Sequence, residues 1–453
     1  MAQTGLGGWR RPLWLWLLLG QLRQLPGWLF KAGTRKDDTA QAIQADDAGN
    51  FFVAGSTDGA LLGNLRIGEG DVFVTKLNST GNAAWTLQVG SPYPDFASDL
   101  RVNTSMDVVV VVGWTSGGLD GQTSAGGQDV LVMCFSTSGS HLWSGQRGTF
   151  YQDRAAAVQL TDKGEIIVLG STKGSLDGNL NAGYADIFLM KFDVQGAWAW
   201  TEQRGSEGGD WPVAMELEGD GVVLAGYTDG DLDLNVNAGG KDMFVMKLDL
   251  SRTWQWTRQR GTAFEDHATA LLVATSGRII VVGDTRGSLD GNINAGFADV
   301  FIMEFEMDGT WLSTQQRGSE GDDLPAAIRP LGARFAVAGS SYGSLDGSVA
   351  SGDADLFIME FDSNVTWLRT RLRGSTERDL AHSLTVAADG ELVIAGSTSG
   401  SLDGSTRSGG ADAFVATLSS LVAREQVSFA HPFGSPAVAL QLVTLGLSLH
   451  SRR

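Results

Sequence analysis

Short apolar runs with two-residue alternation recur along most of the chain, each bounded by glycine-containing turns. One stretch reads Ala268-Thr-Ala-Leu-Leu-Val, Arg278-Ile-Ile-Val-Val-Gly, Asp299-Val-Phe-Ile-Met-Glu-Phe and Thr310-Trp-Leu-Ser-Thr-Gln. β-Branched and aromatic residues in runs of this length predict four strands, and nothing between them carries a helical period. The links are turn chemistry: Thr275-Ser-Gly, the long Gly287-Ser-Leu-Asp-Gly-Asn-Ile-Asn-Ala-Gly loop, and Met307-Asp-Gly.

The four-strand unit repeats. An aspartate opening the third strand stands at Asp71, Asp129, Asp186, Asp242, Asp299, Asp355 and Asp412, at spacings of 56 to 58 residues. In an independent register, Gly33, Gly90, Gly148, Gly205, Gly261, Gly318 and Gly374 are each followed five residues later by an aspartate, from Asp38 and Asp95 to Asp323 and Asp379. A third register is the glycine ending an apolar run, as at Gly170, Gly226 and Gly283. Seven copies of four short antiparallel strands predict an all-β, seven-bladed β-propeller; a solenoid, the other repeat architecture, usually has shorter coils.

The seventh copy ends at Asp412-Ala-Phe-Val-Ala-Thr-Leu418 without its tryptophan-bearing fourth strand. The matching segment, Trp28-Leu-Phe-Lys-Ala-Gly33, lies at the other end of the chain. An N-terminal strand is therefore expected to complete the last blade and close the ring, which removes open sheet edges. The expected division is a leader over 1–26, the propeller over 27–418 and a tail over 419–453. The leader, a basic n-region followed by Pro12-Leu-Trp-Leu-Trp-Leu-Leu-Leu, reads as a secretory signal cut between Gly20 and Gly27. Sequons at Asn78, Asn103 and Asn364 are compatible with an extracellular, glycosylated protein. The tail's apolar stretch 437–449 reads as a peripherally packed segment, with a lipid-anchor signal as the less favoured alternative.

Composition sharpens the picture. Glycine is 61 of 453 residues with only 9 prolines, so the glycine serves regular turns, and 42% hydrophobic residues suffice for a packed core. The net charge of −19 excludes nucleic-acid binding and leaves cations as the natural small partners. Cys134 is the single cysteine, which rules out an intramolecular disulfide and a thiolate metal cluster. No transmembrane span is expected, and the chain is expected to be monomeric.

The unit Gly-Ser-Leu-Asp-Gly-Asn-x-Asn-Ala-Gly-x-x-Asp-x-Phe, at 174–188 and 287–301, followed by Trp and Gln-Arg-Gly, resembles the bacterial seven-bladed propeller repeat called SBBP. The resemblance covers about Trp28 to Leu418. It implies a secreted or surface-exposed propeller, often attached to other extracellular modules. Copies one and six depart most: Leu62 replaces the loop aspartate, and Ala350 the second asparagine.

The Leu-Asp-Gly loop carries the clearest candidate chemistry. Three copies set oxygen ligands at alternate positions plus a later aspartate: Asp177, Asn179, Asn181 and Asp186; Asp233, Asn235, Asn237 and Asp242; Asp290, Asn292, Asn294 and Asp299. Such loops suit calcium, which takes 6–8 oxygens. The competing reading is that Asp and Asn cap the loop through side-chain to backbone bonds. Asp120, Asp346 and Asp403 are weaker matches. The Asp38-to-Asp379 ring and the Gln-Arg-Gly arginines, Arg147, Arg204, Arg260 and Arg317, are read as structural, and the fourth-strand tryptophans as packing between blades. No hydrolase, nucleotide-binding or metalloprotease motif is present. The expected function is a secreted or cell-surface scaffold binding a protein or glycan, possible calcium included; the alternative is a carbohydrate-active enzyme working from the channel, which two asymmetric carboxylates there would favour.

Overall fold

The computed structural model describes residues 27–402, 404 and 408–422, so the leader, Asp403 and the tail from 423 onward lie outside the described residues. Seven four-stranded antiparallel sheets make a ring, a seven-bladed β-propeller with almost no helix. Six of the sheets run in chain order from the centre outward, as in Asp153–Leu160, Glu165–Thr172, Asp186–Asp193 and Trp198–Arg204. The seven inner strands touch one another all the way round, Asp379–Val386 meeting Asp38–Ala45. Closure follows the sequence expectation: Leu29–Ala32 pairs antiparallel with Asp412–Thr417, Leu29 opposite Ala416 and Ala32 opposite Ala413.

There is no single central core. Second and third strands are covered on both faces by neighbouring blades, which is why Val108–Thr115 reads Val-Val-Val-Val-Val rather than alternating. The apolar clusters are wedges between blades: Val130 and Val132 of one blade meet Val158, Val168 and Phe188 of the next. The glycine near the end of each second strand is forced by packing within its own blade. A Cβ on Gly170 would strike the Arg154 carbonyl and the Phe188 ring.

Each inner strand carries a β-bulge at the third residue after its opening aspartate, for example between Ala155 and Ala157. The bulge turns two successive residues toward the axis and adds twist, so the channel is lined by positions three, four and six of these strands.

Chain direction sorts the connections onto two faces. The Leu-Asp-Gly loops and the links from one blade to the next lie on one face, and the tight hairpins on the other. Both ends of the described chain, at the start of Leu29–Ala32 and after Asp412–Thr417, are on the hairpin face.

Candidate functional site

The two aspartate rings are structural groups. Asp210 is buried, Ser206 donates its backbone N–H to Oδ2 at 2.6 Å, and the Thr228 hydroxyl donates to Oδ1 at 2.5 Å. Burial raises its pKa despite these bonds, and the same cause acts first on Asp38, Asp95, Asp153, Asp266, Asp323 and Asp379. Each faces the third-strand aspartate of the preceding blade across the repeat glycine. A Cβ on Gly205 would meet Asp186 Oδ1 and Asp210 Oδ2 together, so only glycine fits. Asp186, Asp242 and Asp299 accept through Oδ2 from a loop N–H at 2.7–2.8 Å and from Gln203, Gln259 and Gln316 at 2.9–3.1 Å. Their Oδ1 atoms are buried without a hydrogen-bond partner.

The loop aspartates join blades. Asp177, Asp233 and Asp290 sit at φ of 51–53°, left-handed backbone that Asp tolerates better than most residues. Asp177 is ion-paired with Arg147 of the preceding blade and accepts the Thr201 hydroxyl at 2.5 Å. Arg204 pairs with Asp233, Arg260 with Asp290 and Arg317 with Asp346 in the same way. The guanidinium also lies on a tryptophan of the next blade, Arg147 4.0 Å from the Trp198 ring centre, Arg260 4.3 Å from Trp311 and Arg317 4.1 Å from Trp367. Where Leu62 replaces the aspartate, Ala32 stands in place of the arginine. The inner tryptophans also cross blades: Trp143 Nε1 donates to the Val194 carbonyl at 3.0 Å.

The asparagines act as donors. Asn179, Asn235 and Asn292 give Nδ2–H to the Leu176, Leu232 and Leu289 carbonyls at 2.7–2.8 Å. Asn181, Asn237 and Asn294 do the same to loop carbonyls at 3.2–3.3 Å. Among the described residues no three His, Cys, Asp or Glu side chains gather around a common point. In this structure the carboxylates of Asp177, Asp233 and Asp290 serve arginine and threonine, and the amides stitch the loop. Melts with millimolar calcium and with chelator are expected to coincide. Asp290→Asn, which keeps the left-handed preference, is expected to cost about 1 kcal/mol by thermal unfolding, the value of a half-exposed ion pair with one charge-assisted bond.

Two features break the repeat. The first is the channel. Position four of the inner strands is small in six blades, as at Ala42, Ala157, Ala214 and Ala270, but is Asp99 in the second. Position six reads Gln44, Arg101, Gln159, Glu216, Leu272, Arg329 and Thr385 around the ring. Arg101 Nη1 donates to Asp99 at 3.0 and 3.1 Å, and its Nε to Gln159 Oε1 at 3.2 Å. Gln159 Nε2 reaches Glu216 Oε2 at 3.3 Å. Asp99 also accepts the Leu100 and Val158 N–H groups at 2.8 and 3.0 Å, so both its oxygens are engaged. Burial pushes the Glu216 carboxyl up against the pull of Arg101 and Arg329, and pushes Arg329 down. His382, also lining the channel, donates or accepts at Ser397 Oγ (3.0 Å) and is held down at about 4 by burial. Composition and motif search missed this set; aligning the seven inner strands by their bulge would have exposed it, because charge here departs from the repeat.

The second feature is the loop face. The third residue after the left-handed loop position is an exposed aliphatic in five blades, Leu65, Leu180, Val236, Ile293 and Val349, each 80–87% exposed. Aromatic residues on the same face, Tyr93, Phe150, Tyr151, Tyr184, Phe264 and Phe297, are 58–78% exposed. Cys134, by contrast, is buried, its thiol pushed up to about 12 by desolvation. No helix among the described residues is long and apolar enough to cross a membrane.

The fold and these two features define a seven-bladed β-propeller repeat protein with one apolar face and an asymmetric channel. No protein-family model matches the chain. It is 25% identical over 202 residues to the regulatory protein FlaEY of Caulobacter vibrioides, an alignment taking in 40% of this chain and 21% of that protein. Solved structures of similar shape include a protein of unknown function from Bacteroides caccae, with 8% identity, TM-score 0.40, 66% of this chain and 89% of that one covered. The endosialidase of phage phi92 has 11% identity, TM-score 0.43 and coverage of 91% and 71%. A protein from Lactobacillus plantarum has 13% identity, TM-score 0.46 and coverage of 74% and 86%.

Proposed function

We propose that this protein is a secreted or cell-surface propeller that docks a protein or glycan partner on its loop face. The observation that carries the reading is the ring of exposed aliphatic loop tips, repeated from blade to blade on one face. Single exposed apolar residues are ordinary, whereas an exposed aliphatic repeated at one loop position in five blades of one face supports an interaction surface. The three sequons support the orientation: Asn78 and Asn364 lie in hairpins and Asn103 ends an inner strand beside one, all on the opposite face with the chain ends. Glycans and tethers would thus leave the loop face bare. The resemblance to the SBBP repeat supports an extracellular setting.

The test is the triple variant Leu180→Ser, Ile293→Ser, Val349→Ser against an array of extracellular proteins and glycans. Because these tips are solvent-exposed, its melt should match the parent within about 1 °C. Binding to the partner found with the parent should weaken at least tenfold, as for anchors at an interface centre. Undiminished binding by the triple variant removes the loop face as the docking surface.

A further inference from the structure

Around the channel ring, bonds from side chain to side chain run along one arc only, while Gln44 and Thr385 bond backbone groups of the next blade. From Asp99 through Arg101 and Gln159 the bonds run to Glu216, and there Leu272, which can neither donate nor accept through its side chain, interrupts them. Beyond the gap stands Arg329, whose guanidinium bonds, among the described residues, to the carbonyl of its own neighbour Ile328, from Nη1 at 2.8 Å. Among the described residues neither Glu216 nor Arg329 has an opposite charge within 4.0 Å, although both line one cavity of about 140 Å³ at the hairpin-face mouth. A wider cavity of about 240 Å³ continues inward between the small position-four residues. An acid and a base, each partly buried, thus line one recess without an ion-pair contact, which is costly unless something bridges them.

We propose that this mouth binds a small zwitterion of the free amino-acid kind, its carboxylate on the Arg329 guanidinium and its ammonium on the Glu216 carboxylate. The geometry matches the charges singly. A guanidinium fork takes a carboxylate through two parallel bonds, and a carboxylate with one bond made has lone pairs left for an ammonium. The remaining charges are already balanced, since Arg101 is paired with Asp99. Any ligand carrying only one charge meets opposition: a simple anion lies against Glu216, and a simple cation against Arg329 and Arg101. The cavity also limits size, because a water needs about 10–15 Å³ in the same measure, leaving room for roughly ten atoms of that size.

The probes are glycine and L-alanine as zwitterions, acetate as the anion alone and methylamine as the cation alone, each titrated to about 10 mM against the full chain. Glycine or alanine is expected to raise the melting temperature by at least about 2 °C in a saturating manner, with acetate and methylamine each giving less than a quarter of that shift. Glu216→Gln and Arg329→Gln should each weaken binding roughly tenfold or more, their ligand-free melts serving as the check on folding. Equal shifts with glycine and acetate would make this a plain anion site, a shift with methylamine alone a cation site, and no shift with any probe a solvated channel; each overturns the proposal. The wild-type comparison decides even if both variants unfold.

Discussion

A chain that begins at Thr34 is expected to be insoluble, or to melt at least about 10 °C below the chain that keeps residues 27–33. The strand removed is short, yet it completes the closing blade. Its loss uncovers Asp412–Thr417, a fully buried strand, and creates an unpaired edge where the ring met. Lys31 Nζ lies 2.9 Å from Asp412 Oδ2, whose side chain is fully buried. Removing one partner of a buried pair costs about 3–5 kcal/mol. Trp28 is lost as well: its ring packs 5.2 Å from that of Phe51, and its backbone N–H donates to Thr417 Oγ1 at 3.0 Å. Together these losses approach the 5–15 kcal/mol that holds a domain folded. Calorimetry of the two chains decides the matter, with Lys31→Ala expected to fall between them. An unchanged melt for the shorter chain would mean that the ring closes without its fourth strand.

The melting temperature is expected to rise as the pH is lowered from 8 through the raised values of the buried carboxyls, the reverse of common acid sensitivity. The seven inner-strand aspartates and Asp242 and Asp355 have pKa values raised above the ordinary 3.8, burial being the largest cause in each. A carboxyl whose folded pKa is raised binds its proton more readily in the folded chain. Its contribution is complete below about 3.8 and is withdrawn as the pH climbs through the folded value. The facing third-strand aspartates add to the effect, because like charges across the repeat glycine cannot both ionise cheaply. His382 works in the opposite sense: held at about 4 against an ordinary 6.5, it withdraws stability as the pH falls through that interval. Glu216 is raised by burial as well, so the carboxyls outnumber the one histidine and a rise rather than a fall is expected as they take up protons. Melts in low-salt buffers from pH 8 to 4.5 test this. A melting temperature that only drops with acid would show the aspartates ionised and solvated at neutral pH.

Much of the fold was legible because the repeat makes each local signal appear seven times. The strands read from 268–273 and 278–283 match Asp266–Val273 and Ile279–Thr285 within two residues, the start moving to Asp266 because its N–H pairs with the Lys241 carbonyl at 2.7 Å. The repeat glycines and aspartates were recognisable as structural since every blade keeps them. The Leu-Asp-Gly loops were harder. Asp at alternate positions with Asn serves a cation cage and a self-bonded loop equally well in one dimension. What the loop aspartates meet could not be read there, because Arg147, Arg204 and Arg260 arrive from the preceding blade some 30 residues earlier.

The sequence by itself determined the strand pattern, the sevenfold count and the ring closure, because these depend on periodicity and on the order of segments along the chain. Only the tertiary structure decided what the irregular residues do. Asp99, Arg101, Glu216 and Arg329 are far apart in sequence and unremarkable within their own strands; closing seven blades round one axis brings them to a single mouth. Leu65, Leu180, Val236, Ile293 and Val349 read as ordinary loop residues until the antiparallel order of each blade puts them on the same face. Periodicity carries information about what every blade shares, whereas which positions meet on one face or in one channel becomes visible when the ring sets the blades side by side.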